Sequence, residues 1–118
     1  MSTTKGNQGE ALATDFLARD GWTIVERNWR NNHAEIDIIM SKNDLLVFVE
    51  VKTRGTDTPE SPEQAVSKRK QGHLIRAASA YLEQSDFEGE VRFDIVAIRI
   101  SEQTTDIRHI EDAFFPVP

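Results

Sequence analysis

Four charged residues fall where a β-strand would bury them: Glu35 and Asp37 in AEIDIIM, and Glu50 and Lys52 in LLVFVEVKTR. A strand interior is a costly place for charge. Moving one ion out of water costs several kcal/mol unless a partner or a metal compensates. Strand alternation puts Leu46, Phe48, Glu50 and Lys52 on one face, and Leu45, Val47, Val49 and Val51 on the other. Glu35, Asp37 and Ile39 share a face of the preceding strand. With a turn centred on Lys42 and Asn43, Asp37 faces Phe48 and Glu35 faces Glu50. Asp37 and Glu50 are then diagonal neighbours, roughly 6 to 8 Å apart at Cβ. Two carboxylates so placed suit one shared divalent cation, such as magnesium with oxygen ligands at about 2.0–2.1 Å. Lys52 adds a positive group one step further along the same face.

A simpler arrangement has Glu50 and Lys52 at an exposed strand end, paired with each other or with Glu35. Such pairs are worth about 0–1 kcal/mol. Two features weigh against it. Residues 45–49 are apolar on both faces, which places Glu50 at the end of a buried central strand. Three acids converging on one patch also repel one another unless a cation sits among them.

These side chains need elements to hold them. From Gly6 to Asp20, Leu12, Ala13, Phe16 and Leu17 recur at helical spacing, and Gly21 follows as a C-cap. WTIVERNWR, AEIDIIM and LLVFVEVKTR read as three strands, with SKND as a turn. A second helix is expected to start with Ser61 as cap, Pro62 at the first position and Gln64 completing a capping box. Its apolar stripe is Leu74, Ala78, Tyr81 and Leu82. VRFDIVAIRI and TDIRHI complete the set. The expectation is one α/β domain over residues 1–118, of order α-β-β-β-α-β-β, with a mixed sheet flanked by helices and an antiparallel meander in its first three strands.

Composition narrows the classes. The 118 residues, 38% hydrophobic and 29% charged, fit one globular domain. With no cysteine, a disulfide scaffold, a thiolate zinc site and a cysteine nucleophile are all excluded. No apolar run is long enough to span a bilayer, and the first ten residues lack a signal-peptide layout, so the cytoplasm is the expected compartment and no membrane partner is expected. A net charge of −6 opposes indiscriminate attraction to a polyanion. A nucleic-acid partner therefore requires a local basic face or a bound dication.

In order along the chain, GNQGEALATDFL, ERNWR, AEIDII, VFVEVKTR, RFDIV and HIEDAF resemble the YraN family of restriction-endonuclease-like proteins. That family belongs to the PD-(D/E)xK superfamily and is similar to archaeal Holliday-junction resolvases. The match runs from Gly6 to Phe114. It departs at Ala34, where the family usually has a glycine before the Glu-Ile-Asp triplet. The resemblance implies a restriction-endonuclease-like sheet. It also implies metal ligation by Asp37, Glu50 and the main-chain carbonyl of Val51, a catalytic Lys52, and a further active-site acid at Glu10. From the residues alone, Glu10 reads equally well as a first-turn acid favoured by the helix dipole or as an acid turned toward the sheet. The implied cofactor is Mg2+ or Mn2+. The implied activity is metal-dependent hydrolysis of DNA, including branched or junction DNA, in repair or recombination, by a chain that pairs into a homodimer. The alternative is a non-catalytic module that keeps the fold and recruits DNA or a repair protein.

Several basic and polar residues are candidates for a phosphate-binding rim. They are Arg54 at the end of the third strand, Gln64, Lys68, Arg69, Lys70 and Arg76 on the second helix, and Arg30 beside Trp29. A charged helix face is more often simply solvated, and such a tryptophan more often anchors a strand. Asp94 is expected to pair with Arg92 or a turn. His33 and His109 lack partners at metal-ligand spacing, and no phosphate loop, nucleophile elbow or dinucleotide fingerprint occurs.

Overall fold

The structure, a computed structural model, describes residues 4–55 and 66–114, with side chains from residue 8 onward. Among the described residues, two helices and five strands follow in the expected order: α1 (Thr4–Arg19), β1 (Thr23–Asn31), β2 (Ala34–Lys42), β3 (Leu45–Gly55), α2 (Lys68–Gln84), β4 (Glu90–Ile100) and β5 (Thr105–Phe114). The strands lie in sequence order in one sheet. Only β3 and β4 run parallel, joined by the α2 crossover; the other neighbours are antiparallel. This is the expected α/β architecture, a mixed sheet with a helix on each face.

Period-two alternation along the strands builds the two apolar layers. Under α2, Ile39, Leu46, Phe48, Phe93, Ile95 and Phe114 pack against Leu74, Ala77 and Ala78. Under α1, Ile38, Met40, Val47, Val49, Val96 and Ile98 pack against Ala13 and Leu17. The central strand β3 is buried from Leu46 through Glu50. Burying one such aliphatic side chain stabilises the fold by about 1.5–3 kcal/mol, so this run anchors the sheet.

α1 ends as its sequence requires. Gly21, at φ 97°, donates to the Ala18 carbonyl, and Trp22 donates to the Leu17 carbonyl, each at 3.1 Å. This is a Schellman cap, and its apolar residues Trp22 and Leu17 join the same cluster. The buried arc of α1 runs through Gly9, Ala13 and Leu17. Phe16, expected in the stripe, falls at its margin and is 37% exposed. A Cβ on Gly9 would overlap Thr53 Oγ1, so glycine is what lets this helix sit directly on β3.

Two expectations need correction. The β2–β3 turn is centred on Asn43 and Asp44, one residue later than expected, with Asn43 at φ 57° in the left-handed region that asparagine tolerates. Lys42 therefore pairs with Leu45 and Ile38 with Val49. The register moves by two residues, which changes each cross-strand partner without by itself turning any residue to the other face. The described start of α2 is capped by Ser67, whose hydroxyl accepts from the Lys70 amide at 3.2 Å. The expected cap and capping box at Ser61, Pro62 and Gln64 lie outside the described residues. No helix is long and apolar enough to cross a membrane among the described residues.

A buried ionic knot ties β4 to β5 and Trp22. Asp94, fully buried, accepts a bidentate pair from Arg92 at 2.8 and 2.9 Å. It also contacts His109 Nε2 at 2.6 Å and accepts from the Asp112 amide at 2.9 Å. Arg92 and Lys42 both lie over the Trp22 ring. Burial opposes the charge on Asp94, but hydrogen bonds from His109, Arg92 and Asp112 outweigh it and hold the carboxyl below its usual range. A depressed folded-state pKa contributes stability above the unfolded value of 3.8, and that contribution is lost as pH falls. Asp94→Ala is expected to lower the unfolding free energy by about 3 kcal/mol at neutral pH, with a smaller deficit at about pH 3. Urea denaturation at the two pH values checks this.

Candidate functional site

The site forms where β2 and β3 part. Their pairing stops at Ile38–Val49. The next inward-facing amide of β3, on Val51, donates instead to Asp37 Oδ2 at 2.8 Å. A side-chain carboxylate thus replaces a strand carbonyl. Strict alternation also breaks here, since Ile36 joins the same apolar cluster as Ile39, an odd number of residues away. In an extended strand a residue's N–H and C=O project to the same side, so the Val51 carbonyl faces this seam as well.

Glu50 reaches the same seam from β3. The apolar run that precedes it carries the residue into the interior, and its side chain is only 8% exposed. Burial first, and then the Asp37 charge, push its pKa from 4.5 up to about 7, with Lys70 and Lys52 opposing. Asp37 is raised from 3.8 to about 6, again mainly by burial. The Val51 hydrogen bond opposes that shift, while the charges of Glu10 and Glu35 add to it. Glu10 on α1 acts on Asp37 through its charge, and with the helix starting at Thr4 it lies beyond the first turn. Glu10 acts on Asp37, and Asp37 and Lys52 each act on Glu50, so the four expected site residues are linked in one electrostatic chain.

Two further residues belong to the cluster. Lys70 Nζ lies 3.8 Å from Glu50 Oε2, so a residue expected on an outer rim stands at the centre. Glu35 acts on both buried acids and pairs with Arg30 at 3.3 Å across the β1–β2 edge. Lys68, Arg69 and Arg76 are exposed along α2, and half-buried Arg54 continues β3. Gln64 lies outside the described residues. Trp29 stacks edge-on with Tyr81 at 5.3 Å, the core-anchoring role. His109 serves Asp94. The sequence signal for Lys70 was only its place in the run of basic residues on the second helix; its ion pair depends on packing.

The donor set suits a hard dication that keeps much of its own hydration. Two buried carboxylates with unfavourable ionisation and a neighbouring main-chain carbonyl supply oxygen ligands and call for positive charge. Among the described residues no three His, Cys, Asp or Glu side chains converge as a complete cage. Magnesium or manganese fits this better than zinc or calcium, because magnesium commonly takes one or two carboxylates and completes its shell with water and phosphate. An open groove of about 770 Å3, lined by Trp22, Lys42, Glu90 and Arg92 among others, lies at the opposite end of the β3–β4 pair. It holds none of these residues.

A raised folded-state pKa makes the native protein hold protons that the unfolded chain has released, so stability falls as pH rises from 4.5 through about 7. In chelator, Glu50→Gln is expected to raise the unfolding free energy by about 2 kcal/mol at about pH 8, and to lose that advantage below about pH 4. Denaturant titrations at both pH values measure the difference.

Comparisons with known proteins identify the family. A family model described as "Uncharacterised protein family UPF0102" matches residues 9–98. A UPF0102 protein from Syntrophomonas wolfei is 42% identical over 97% of this chain and 100% of its own length. One from Chlorobium chlorochromatii is 46% identical over 93% of this chain and 90% of its own. A solved structure of Pyrococcus furiosus SfsA with Ca2+ is similar over 91% of this chain and 62% of that one, at 13% identity and a TM-score of 0.35, a likeness too loose to bear on the site. With the model spanning both strands of the acidic seam and relatives matching almost end to end, the chain belongs to UPF0102, the YraN family.

Proposed function

We propose that the chain is a metal-dependent phosphodiesterase that hydrolyses DNA, with branched or junction DNA as the substrate class suggested by its resemblance to resolvases. The observation that carries this reading is the pair of buried carboxylates, Asp37 and Glu50, each held protonation-prone in the absence of a cation. Such pairs are expensive to keep, and their perturbed acidity is a mark of functional sites. The basic residues of α2 support an anionic partner. Lys68, Arg69 and Lys70 crowd the first turn, where the helix dipole favours acids, and no acid is present there. A locally cationic face answers the objection raised by the net charge of −6.

Asp37, Glu50 and the Val51 carbonyl would hold Mg2+ or Mn2+. When bound, the ion supplies Lewis-acid polarisation of a phosphate oxygen and acidifies a water molecule. Asp37 is fixed for this by the Val51 amide, so it cannot swing away. Lys52, beside Glu50 on the same strand, stabilises charge developing on the phosphate. Glu10 adds negative charge beside Asp37 and strengthens the site's demand for a cation. The exposed cations of α2 and Arg54 of β3 position the backbone of the nucleic acid without reading its bases.

Purified protein assayed with Mn2+ on linear, flapped and four-way DNA is expected to cleave at least one of them. Asp37→Ala abolishes that cleavage, and Lys52→Ala lowers it by about 100-fold or more. Full cleavage by either variant rejects the assignment. DNA binding indifferent to metal, with no cleavage by the wild-type chain, identifies a recruiting module instead.

A further inference from the structure

Lys70 stands in an unusual position. It is the third residue of α2, its amide tied to Ser67 Oγ, so the cap that starts the helix also fixes where its side chain emerges. It sits at the positive end of the helix dipole, which disfavours a cation. From there its ammonium reaches over the α2 side of the sheet to Glu50 Oε2 at 3.8 Å, longer than a hydrogen bond. Lys70 is 49% exposed along its side chain and Glu50 only 8%. A buried anion is thus met by a half-solvated, loosely engaged cation on a long flexible stem. The contact is poor as a structural ion pair and well suited to being broken.

We propose that Lys70 is the resident cation of the site, engaging Glu50 in the metal-free protein and giving up that place when a divalent ion binds. It is a positioning residue, and its role rests on the metal-dependent reading above. Lys52 is adjacent to Glu50 on the same rigid strand and acts on it from there. Lys70 arrives from a different layer, and its side chain is free to turn outward to join Lys68 and Arg69 on the exposed first turn. Metal uptake and the presentation of a third cation to an incoming phosphate backbone are thereby one event. The acids facing Lys70 are Glu50 and Asp37, and its charge favours the ionised form of both.

Two measurements test the exchange, with Lys70→Met removing the charge and Lys70→Arg retaining it. In chelator at about pH 8, Lys70→Met lowers the melting temperature by about 3 °C in the wild-type background and by less than half of that in Glu50→Gln. Equal losses in both backgrounds overturn the resident pair. In Mn2+ titrations without DNA, Lys70→Met binds the ion about threefold to tenfold more tightly than wild type, since a competing cation is gone. Lys70→Arg stays near the wild-type affinity. A merely structural lysine predicts weaker binding on its removal, and unchanged or weaker Mn2+ affinity in Lys70→Met overturns the exchange alone. No Mn2+ uptake by the wild-type chain overturns the exchange and the metal-dependent reading together.

Discussion

The structure turns on the burial of two like charges in a single seam. Asp37 and Glu50 are driven toward protonation mainly by loss of water and secondarily by neighbouring acids, Glu10 and Glu35 for Asp37, and Asp37 and Glu35 for Glu50. Nothing local favours that arrangement. It persists because the rest of the fold over-determines it. The Leu46–Val49 run locks β3 into the centre of the sheet, and the strand then carries Glu50 inward whether or not its charge is satisfied. Asp37 stays because its carboxylate has replaced a strand carbonyl as acceptor for Val51, so the charge is also a structural bond.

A third buried acid on the neighbouring strand makes the contrast plain. Asp94 pairs in register with Val49, directly beside Glu50, yet projects to the opposite face. There Arg92, His109 and the Asp112 amide satisfy it, and its pKa falls. The same burial therefore leads to opposite outcomes, decided by what surrounds the carboxylate. Asp94 is a compensated anion that joins β4 to β5. Asp37 and Glu50 are under-compensated, with the Val51 amide and the more distant charges of Lys70 and Lys52 set against their burial. Evolution of a purely structural protein has no reason to keep such a pair, since apolar residues of similar size would serve at least as well.

The helices bring the remaining charges to the seam by two small backbone devices. Gly9 allows α1 to lie against Thr53, which brings Glu10 into the field of Asp37. Ser67 starts α2 where its first turn overlooks Glu50. The site lies in the C-terminal half of β3, beyond the point where its antiparallel partner leaves it. Sites in open α/β sheets commonly occupy such places, because diverging strands leave backbone groups and side chains without neighbours.

Local rules were enough to determine the element order and the mixed sheet, because alternation and capping act between residues close in sequence. The hairpin register was misplaced by one turn position; a two-residue slip does not by itself change the side a residue points to, but the break in alternation between Ile36 and Ile39 was not legible in the pattern. Tertiary structure alone decided that Asp37 would be held by Val51, that Phe16 would stay outside the core, and that Lys70 would leave the rim to meet Glu50. Each of these depends on how two elements distant in sequence approach each other. The strength of a buried charge, too, is set by water excluded from every side, which no single strand or helix contains in its own pattern.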